Sequence, residues 1–297
     1  MSNSKLVLVT GATGQQGGAV ARALLNNGFR VRGTTRNMDS PAAQKLTALG
    51  AEVVRADFRD RSSLVKAAAE VDTVFGMSTS FEAGEDAEVR QGIALIDSAV
   101  QAGVDHFIYT SVASANQNTG IPHFESKYKV EKHLATTALD WTVVAPAAFM
   151  ENLLLPQGLE ALRSGTYAIA LPPEVHFKQT AVADIGQFGA HVVNNKDEFV
   201  GRRIDIGSDG QTSAEVAEIL SDVLGRAITV QEVPISEIRA FNEDFAIMFE
   251  WFLTTGYDVD IEGLRARYPE VGWHRFADWA RATVPAALGE PSALLTL

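Results

Sequence analysis

Three glycines near the start of the chain have the spacing of a loop that binds a dinucleotide. They are Gly11, Gly14 and Gly17, in the order G-x-x-G-x-x-G, after an apolar run from Leu6 to Val9 and before apolar residues at helical spacing. In this order of strand, glycine turn and helix, a backbone without Cβ atoms can approach a pyrophosphate. The positive end of the helix dipole then points at that anion. The stretch therefore predicts a cofactor site.

A basic residue stands where the choice between NAD and NADP is usually made. An NAD site places an acidic residue after the second strand, to bond the ribose 2′-hydroxyl, whereas this chain has Arg36. A guanidinium can form two hydrogen bonds to a 2′-phosphate, so the residue predicts NADP(H), with a solvated basic turn as the alternative. Arg32, on the same face of the strand, is a second candidate for this role. Asp57 and Phe58 follow the third apolar run and are predicted to border the adenine, with helix capping as the alternative for Asp57.

His123 and Lys127 are four residues apart, so they share one face of a predicted helix. The lysine could reach the ribose hydroxyls of a nicotinamide cofactor, and the histidine could act as an acid toward a substrate carbonyl. Many reductases of this architecture have a tyrosine four residues before the lysine, whereas the tyrosine here is Tyr128, which faces elsewhere. The alternative is that His123 only caps the helix and that Lys127 anchors the ribose without catalytic work.

Apolar runs and amphipathic segments alternate along the first half of the chain, which predicts parallel strands joined by right-handed crossovers. The expected fold is α/β, a Rossmann-type doubly wound parallel sheet with a second, smaller α/β lobe. We expect residues 1–151 to form the NADP(H)-binding domain, with 181–207 returning to it, and 152–180 and 208–297 to form the substrate or partner lobe. In the second half the pattern predicts helices over 149–163, 182–194, 213–224, 245–255 and 273–287.

The composition limits the classes of function. The 297 residues carry a net charge of -12 without a long basic run, so binding to nucleic acid is not expected. The chain has no cysteine, which excludes disulfides, thiol catalysis and thiolate metal sites. Its six histidines lack ligand spacing, so no metal is expected. Neither a signal peptide nor an apolar run of membrane-spanning length is evident, and we expect a cytoplasmic protein.

Five motifs occur in a fixed order, namely TGATGQQGG, VRGTTRN, GAEVVRADFRD, PHFESKYKVE and FMENLL. Together they resemble the NmrA-like family of atypical short-chain dehydrogenases/reductases, most closely its HSCARG-like branch. The resemblance covers most of the chain and is weakest after about Phe241. It implies an NADP(H) site that comprises Gly11, Thr13, Gly14, Gln15, Gln16, Gly17, Arg36, Asp57, Phe58, Ser78, Thr79, Ser80, Lys127, Phe149, Glu151 and Asn152.

Two functions stay open because the usual tyrosine is missing, as it is in the sensor-like members of the family. The resemblance to those members implies that this chain binds NADP(H) and regulates a partner protein. Other relatives reduce quinones or dyes, and a quinone needs little acid help because its reduced oxyanion is a stable phenolate. One interpretation is therefore an NADPH-dependent reductase of a quinone or conjugated aromatic acceptor, with Lys127 and His123 as catalytic residues. The other is a non-catalytic redox sensor. The aromatic stretch from Phe241 to Phe252 is interpreted as core or as the wall of a substrate cleft, with an apolar lid over the nicotinamide as the alternative.

Overall fold

The computed structural model describes residues 5–80 and 83–289. The chain divides into two compact units, and it passes from one to the other three times. The first unit comprises Met1–Pro146 and Val182–Asp205, and the second comprises Ala147–Ala181 and Ile206–Leu297.

Strands and helices alternate from Leu6 to Pro146 and follow one another less regularly after that. The strands are β1 (Leu6–Val9), β2 (Arg30–Thr35), β3 (Glu52–Arg55), β4 (Thr73–Gly76), β5 (His106–Thr110), β6 (Asp140–Pro146), β7 (Ala148–Phe149), β8 (Thr166–Ile169), β9 (His176–Thr180), β10 (Arg202–Ile206), β11 (Asp209–Thr212) and β12 (Thr229–Glu232). The helices are α1 (Gln15–Asn26), α2 (Pro41–Ala48), α3 (Arg61–Ala67), α4 (Glu85–Ala102), α5 (Pro122–Leu134), α6 (Pro156–Arg163), α7 (Val182–Asn194), α8 (Lys196–Phe199), α9 (Ser213–Leu224), α10 (Ile235–Phe241), α11 (Glu243–Thr254), α12 (Ile261–Arg267) and α13 (Phe276–Leu288). Short 3₁₀ turns occur at Ala115–Gln117, Met150–Leu154 and Pro269–Val271.

The first unit is built on a seven-stranded parallel sheet with the order β10-β6-β5-β4-β1-β2-β3. The central strand β1 pairs with β2 on one side and with β4 on the other, so the strand order reverses between β1 and β4. In sheets of this kind, ligands bind in the crevice that such a reversal opens at the carboxyl ends of the strands. The topology confirms the predicted fold class and places the glycine loop at that crevice.

The middle of the sheet is buried on both faces, which explains why its strands are continuous apolar runs. Val7, Leu8 and Val9 have no exposed surface. On one face, α3, α4 and α5 enclose a core that includes Leu95 and Phe107. On the other face, α1 packs against the returning helix α7. The sheet therefore holds the ends of its strands in fixed positions.

The second unit contains a three-stranded sheet, β11-β9-β7, and a parallel pair, β12-β8. Its core includes Met150, Leu220 and Trp279. The continuous helix expected over 149–163 is wrong, because the segment begins with β7 and a 3₁₀ turn and becomes α-helical only at Pro156. A proline disfavours the helical conformation in the residue before it, so the helix begins at the proline.

The aromatic stretch divides into a buried and an exposed part. The Phe252 ring lies 5.0 Å from that of Phe177 and 4.9 Å from that of Tyr257, between ring centroids, and Phe252 is buried. The interpretation as core therefore applies to Phe252. It is wrong for Phe241, which is 82% exposed at the end of α10. The lid over the nicotinamide stays a prediction.

Candidate functional site

The loop between β1 and α1 has a backbone that requires glycine. Gly11 has a φ of +61°, in the left-handed region that favours glycine, and its carbonyl accepts a hydrogen bond of 2.9 Å from the Gly14 amide. A Cβ atom on Gly17 would lie only 2.3 Å from the Gly11 oxygen. The Gly14 N-cap adds no side chain in front of α1, and the first turn of the helix carries no acidic residue. The helix N-terminus can therefore accept an anion.

The other predicted residues of this loop differ in exposure. Thr13 is half-buried and Gln15 is exposed, whereas Gln16 is buried. The Gln16 amide donates a hydrogen bond from Nε2 to Thr110 Oγ1 at the carboxyl end of β5. A contact between Gln16 and a phosphate would therefore come from its backbone, because its side chain joins the loop to the sheet.

Arg36 and Asp57 lie close together at the ends of β2 and β3. Arg36 is the first residue after β2, is exposed, and contributes a positive potential that lowers the pKa of Asp57. The larger cause is Arg59, which donates to Asp57 from Nε at 3.1 Å and from Nη2 at 2.7 Å, and together these groups lower the pKa of Asp57 to about 2. Phe58 packs against the core of the sheet.

Two alternatives for this region are wrong. The cap of α3 is Asp60 rather than Asp57, since the Asp60 side chain accepts from the amides of Ser62 and Ser63. The suggestion that Arg32 assists in phosphate binding also fails. Its guanidinium donates to Glu52 at 2.9 Å and to the carbonyls of Ala67 and Ala69 at 2.9 and 2.7 Å, at the end of α3.

Lys127 is held at the end of β4 by two oxygens. Its Nζ donates to the Ser78 carbonyl at 3.1 Å and lies 2.7 Å from Glu88 Oε1. Glu88 has no exposed surface, and its second carboxylate oxygen accepts a hydrogen bond from Ser126. The Ser78 hydroxyl lies 3.0 Å from that of Tyr109. The structure thus brings Ser78 and Lys127 together next to the crevice, with Thr79 and Ser80 following as half-buried residues.

His123 lies inside α5, one turn before Lys127. The helix begins at Pro122 with Ile121 as its N-cap, so the alternative in which His123 caps it is wrong. The imidazole is 7% exposed and meets the Phe124 ring edge-on, with 4.8 Å between centroids. The position that carries tyrosine in many reductases therefore holds a buried histidine.

Sequence reasoning missed Glu88, although its position gives a signal. Glu88 precedes Gly92, Leu95 and Ile96 by four, seven and eight residues, and all four are buried on one stripe of α4. An acidic residue on an apolar stripe is costly to bury and calls for a cationic partner. Tyr109 was missed as well, and burial raises its pKa well above the ordinary value, so its hydroxyl keeps its proton.

A second polar network, also missed, fixes the loop that leads from β5 to α5. Arg203 on β10 donates to Glu131 of α5 at 2.9 Å, pairs with Asp205, and donates to the Val112 carbonyl at 2.8 Å. The Ser111 hydroxyl donates to Glu131, and Asp205 accepts from the Ser114 amide at 2.9 Å. These contacts hold α5, the helix that carries Lys127, against the sheet.

Three predicted residues belong to the second unit. Phe149 ends β7, and the Asn152 carbonyl accepts a hydrogen bond of 3.2 Å from the Leu155 amide. Glu151 accepts a hydrogen bond of 3.0 Å from the Trp279 indole. Their role beside the nicotinamide carboxamide stays a prediction.

Residues 5–80 and 83–289 contain no cluster of three or more histidine, aspartate and glutamate side chains that could hold a metal ion. None of their helices is both long and apolar enough to cross a membrane.

A doubly wound sheet with a glycine loop between β1 and α1 defines the class of dinucleotide-binding α/β proteins. Residues 3–280 match the model of the NmrA-like family. The chain belongs to this family.

Curated relatives extend over most of the chain. An NmrA-like family domain-containing protein of Dictyostelium discoideum is 27% identical over 266 residues, which cover 84% of this chain and 87% of the relative. The NmrA-like family domain-containing oxidoreductase FrzB of Cladobotryum sp. is 34% identical over 96% of this chain and 93% of its own length.

Solved structures share the fold at lower identity. NmrA, a negative transcriptional regulator in complex with NADP, superposes with a TM-score of 0.80 at 19% identity, over 97% of this chain and 98% of NmrA. The triphenylmethane reductase of Citrobacter sp., complexed with NADP(H), superposes with a TM-score of 0.79 at 22% identity, over 94% of this chain and 99% of the reductase. The NADPH-dependent quinone oxidoreductase QOR2 of Escherichia coli, complexed with NADPH, superposes with a TM-score of 0.78 at 23% identity, over 94% of this chain and 99% of QOR2.

Proposed function

We propose that the first unit binds NADP(H) at the carboxyl end of β1. The observation that carries this proposal is the close approach of Gly11 and Gly17, which leaves the N-terminus of α1 open to a pyrophosphate. Arg36, at the end of β2, would bind the 2′-phosphate and favour NADPH over NADH. Structural relatives that bind NADP(H) support this choice of cofactor.

The remaining residues would surround the cofactor from the neighbouring strand ends. Asp57 and Phe58 would border the adenine, and Ser78, Thr79 and Ser80 would lie alongside the cofactor. Lys127 would bind the nicotinamide ribose. Thr13, Gln15 and Gln16 would complete the glycine loop, and Phe149, Glu151 and Asn152 would contact the carboxamide.

The reaction we propose is reduction of a quinone or conjugated aromatic acceptor. NADPH supplies the hydride when it is bound. Lys127, fixed by Ser78 and Glu88, would orient the ribose, and His123 would assist protonation of the reduced acceptor. The reductase activities named for the Citrobacter and Escherichia coli proteins, and the oxidoreductase name of FrzB, support this class of reaction.

The second candidate is a non-catalytic sensor of the NADPH/NADP ratio that regulates a partner protein. The observation that favours it is that His123 is buried at the position of the usual tyrosine, four residues before Lys127. This position therefore has no exposed hydroxyl that could protonate a substrate. The fold shared with the regulator NmrA supports it as well. Within the family, we propose that the chain belongs to the HSCARG-like branch, which its motifs resemble most closely.

We also propose that the second unit is the substrate or partner lobe. Its ligand would be a small aromatic or quinone molecule in the first case and a protein in the second. The cytoplasmic location expected from the sequence stays a prediction.

Calorimetry followed by an acceptor panel tests these proposals. NADPH should bind more tightly than NADH, and at least one of benzoquinone, menadione and a triphenylmethane dye should accelerate the loss of NADPH absorbance. Tight NADPH binding with no acceptor turnover would remove the reductase and leave the sensor. If neither cofactor binds, both candidates are wrong.

A further inference from the structure

We propose that Met77 is a reversible oxidation site that controls NADP(H) affinity. Oxidation of its thioether by a peroxide would deform the glycine loop and weaken cofactor binding. The inference rests on the proposed NADP(H) site and adds a regulatory input that is independent of catalytic turnover.

The Met77 side chain lies directly against the glycine loop. A Cβ atom built at Gly11 would be 2.4 Å from Met77 Sδ, so the sulfur packs on the face of Gly11 where every other residue carries its side chain. Gly11 has a left-handed φ and forms the turn to Gly14. An atom added to the sulfur would therefore press on the segment that has to approach the pyrophosphate.

The backbone of Met77 cannot move away from this contact without breaking hydrogen bonds. The Thr10 hydroxyl accepts from the Met77 amide at 2.8 Å and donates to the Met77 carbonyl at 3.3 Å. The Thr10 amide in turn donates to the Phe75 carbonyl at 3.1 Å. The ends of β1 and β4 are thus joined next to the sulfur, which would pass a local change on to the loop.

Met77 combines this position with partial exposure. The sequence has no cysteine and five methionines, so methionine is the sulfur that can respond to an oxidant. Met77 is half-buried, whereas Met150 has no exposed surface. Met38 is 47% exposed in the turn after β2, and Met248 lies on α11 in the second unit. Among the described methionines, Met77 is the one that contacts the glycine loop.

The chemistry is a two-electron oxygen transfer. The Met77 thioether attacks one oxygen of a peroxide, and an S–O bond forms as the O–O bond breaks. When the oxidant is hydrogen peroxide, the second oxygen leaves as water. The sulfur is oxidised to the sulfoxide and the peroxide is reduced. The sulfoxide is polar and larger than the thioether, and methionine sulfoxide reductases restore it.

Binding and oxidation should be linked in both directions. If the sulfoxide lowers affinity for NADPH, then NADPH disfavours the oxidised form by the same factor. A bound cofactor that covers the loop would also shield the sulfur from the peroxide. A protein saturated with NADPH would therefore resist oxidation, and a protein without NADPH would be modified.

The test uses the full chain treated with hydrogen peroxide, after which the peroxide is removed. Peptide mass spectrometry gives the oxidised fraction of Met77 and Met38, and calorimetry gives the NADPH dissociation constant. We expect about tenfold weaker binding after oxidation of Met77, and recovery after treatment with the two methionine sulfoxide reductases. Met77→Leu keeps a similar volume and should bind NADPH normally but not respond to peroxide. Met38→Leu is the matched control and should respond like the wild-type protein.

Three results would overturn the inference while leaving the cofactor proposal intact. One is unchanged NADPH affinity with Met77 fully oxidised. Another is an equal loss of affinity in peroxide-treated Met77→Leu, and the third is complete oxidation of Met38 without modification of Met77. If the untreated protein does not bind NADPH, the proposed function fails first, and the inference fails with it.

Discussion

Lys127 Nζ lies 2.7 Å from a carboxylate oxygen of Glu88, a residue with no exposed surface. The Glu88 charge is thus kept in the interior by one ammonium, one hydroxyl from Ser126 and the packing of α4 on α5. The pair serves two purposes at once, since it fixes the lysine beside Ser78 and satisfies a charge on the apolar stripe of α4. Loss of either partner should therefore change both stability and cofactor binding.

Lys127→Met should lower the free energy of unfolding by about 3 kcal/mol, because it leaves the buried Glu88 charge without its partner. Lys129 is an exposed lysine on the same helix. The control Lys129→Met should change the free energy of unfolding by less than about 0.5 kcal/mol. Urea unfolding measures both variants. Equal stability of the two variants would show that Glu88 does not depend on Lys127.

Arg36→Ala should weaken NADPH binding by about ten- to a hundredfold, since a hydrogen bond to a charged group is worth about 1.5–3 kcal/mol. NADH binding should change little, because NADH lacks the 2′-phosphate. Arg32→Ala is the matched control, since that guanidinium bonds Glu52 and the end of α3. Calorimetric titration with both cofactors gives the ratio of the NADH and NADPH dissociation constants for each variant. An equal loss for NADH and NADPH in Arg36→Ala would contradict the role in phosphate recognition.

Gly17→Ala should abolish tight NADPH binding and cost about 1–3 kcal/mol of stability, because its Cβ would lie 2.3 Å from the Gly11 oxygen, which is a backbone atom. The neighbouring Gly18→Ala is a milder change. Its Cβ would lie 3.2 Å from the end of the flexible Arg22 side chain and 3.3 Å from the Ala12 carbonyl. Thermal unfolding and NADPH titration compare the two variants, and normal binding by Gly17→Ala would disprove the required close approach.

His106 should make the stability of the protein sensitive to acid. Burial, assisted by the positive charge of Lys196, lowers the pKa of His106 to about 4. The folded protein therefore binds this proton more weakly than the unfolded chain, in which the pKa is about 6.5. The stabilisation is complete above about pH 6.5 and is lost as the pH falls toward 4, by about 3 kcal/mol in all.

His106→Gln should reduce this dependence, which urea unfolding between pH 7.5 and 4.5 measures. The exposed His176→Gln should keep the slope of the wild-type protein. A wild-type slope in His106→Gln would show that other groups control the acid response.

The first half of the fold could be predicted from the sequence because its signals are local. A strand buried on both faces reads as an apolar run, as from Leu6 to Val9, and the glycines that follow have the spacing of their turn. The second half was harder, since β7, β8 and β11 are short strands of two to four residues. Strands of this length have too few residues to show a period.

The sequence by itself determined the doubly wound sheet, the glycine loop and the face shared by His123 and Lys127, since each follows from residues a few positions apart. Only the tertiary structure decided which carboxylate or carbonyl oxygen each cationic side chain bonds. Arg32 lies on β2 and Arg36 directly follows this strand, so the sequence offers both for the same phosphate, but Glu52, 20 residues from Arg32 along the chain, bonds Arg32. Likewise Lys127 pairs with Glu88 at a separation of 39 residues, and Met77 reaches the glycine loop across β1 and β4. Such contacts depend on how strands and helices pack, because a side chain's partner is set by distance in space and not by distance along the chain.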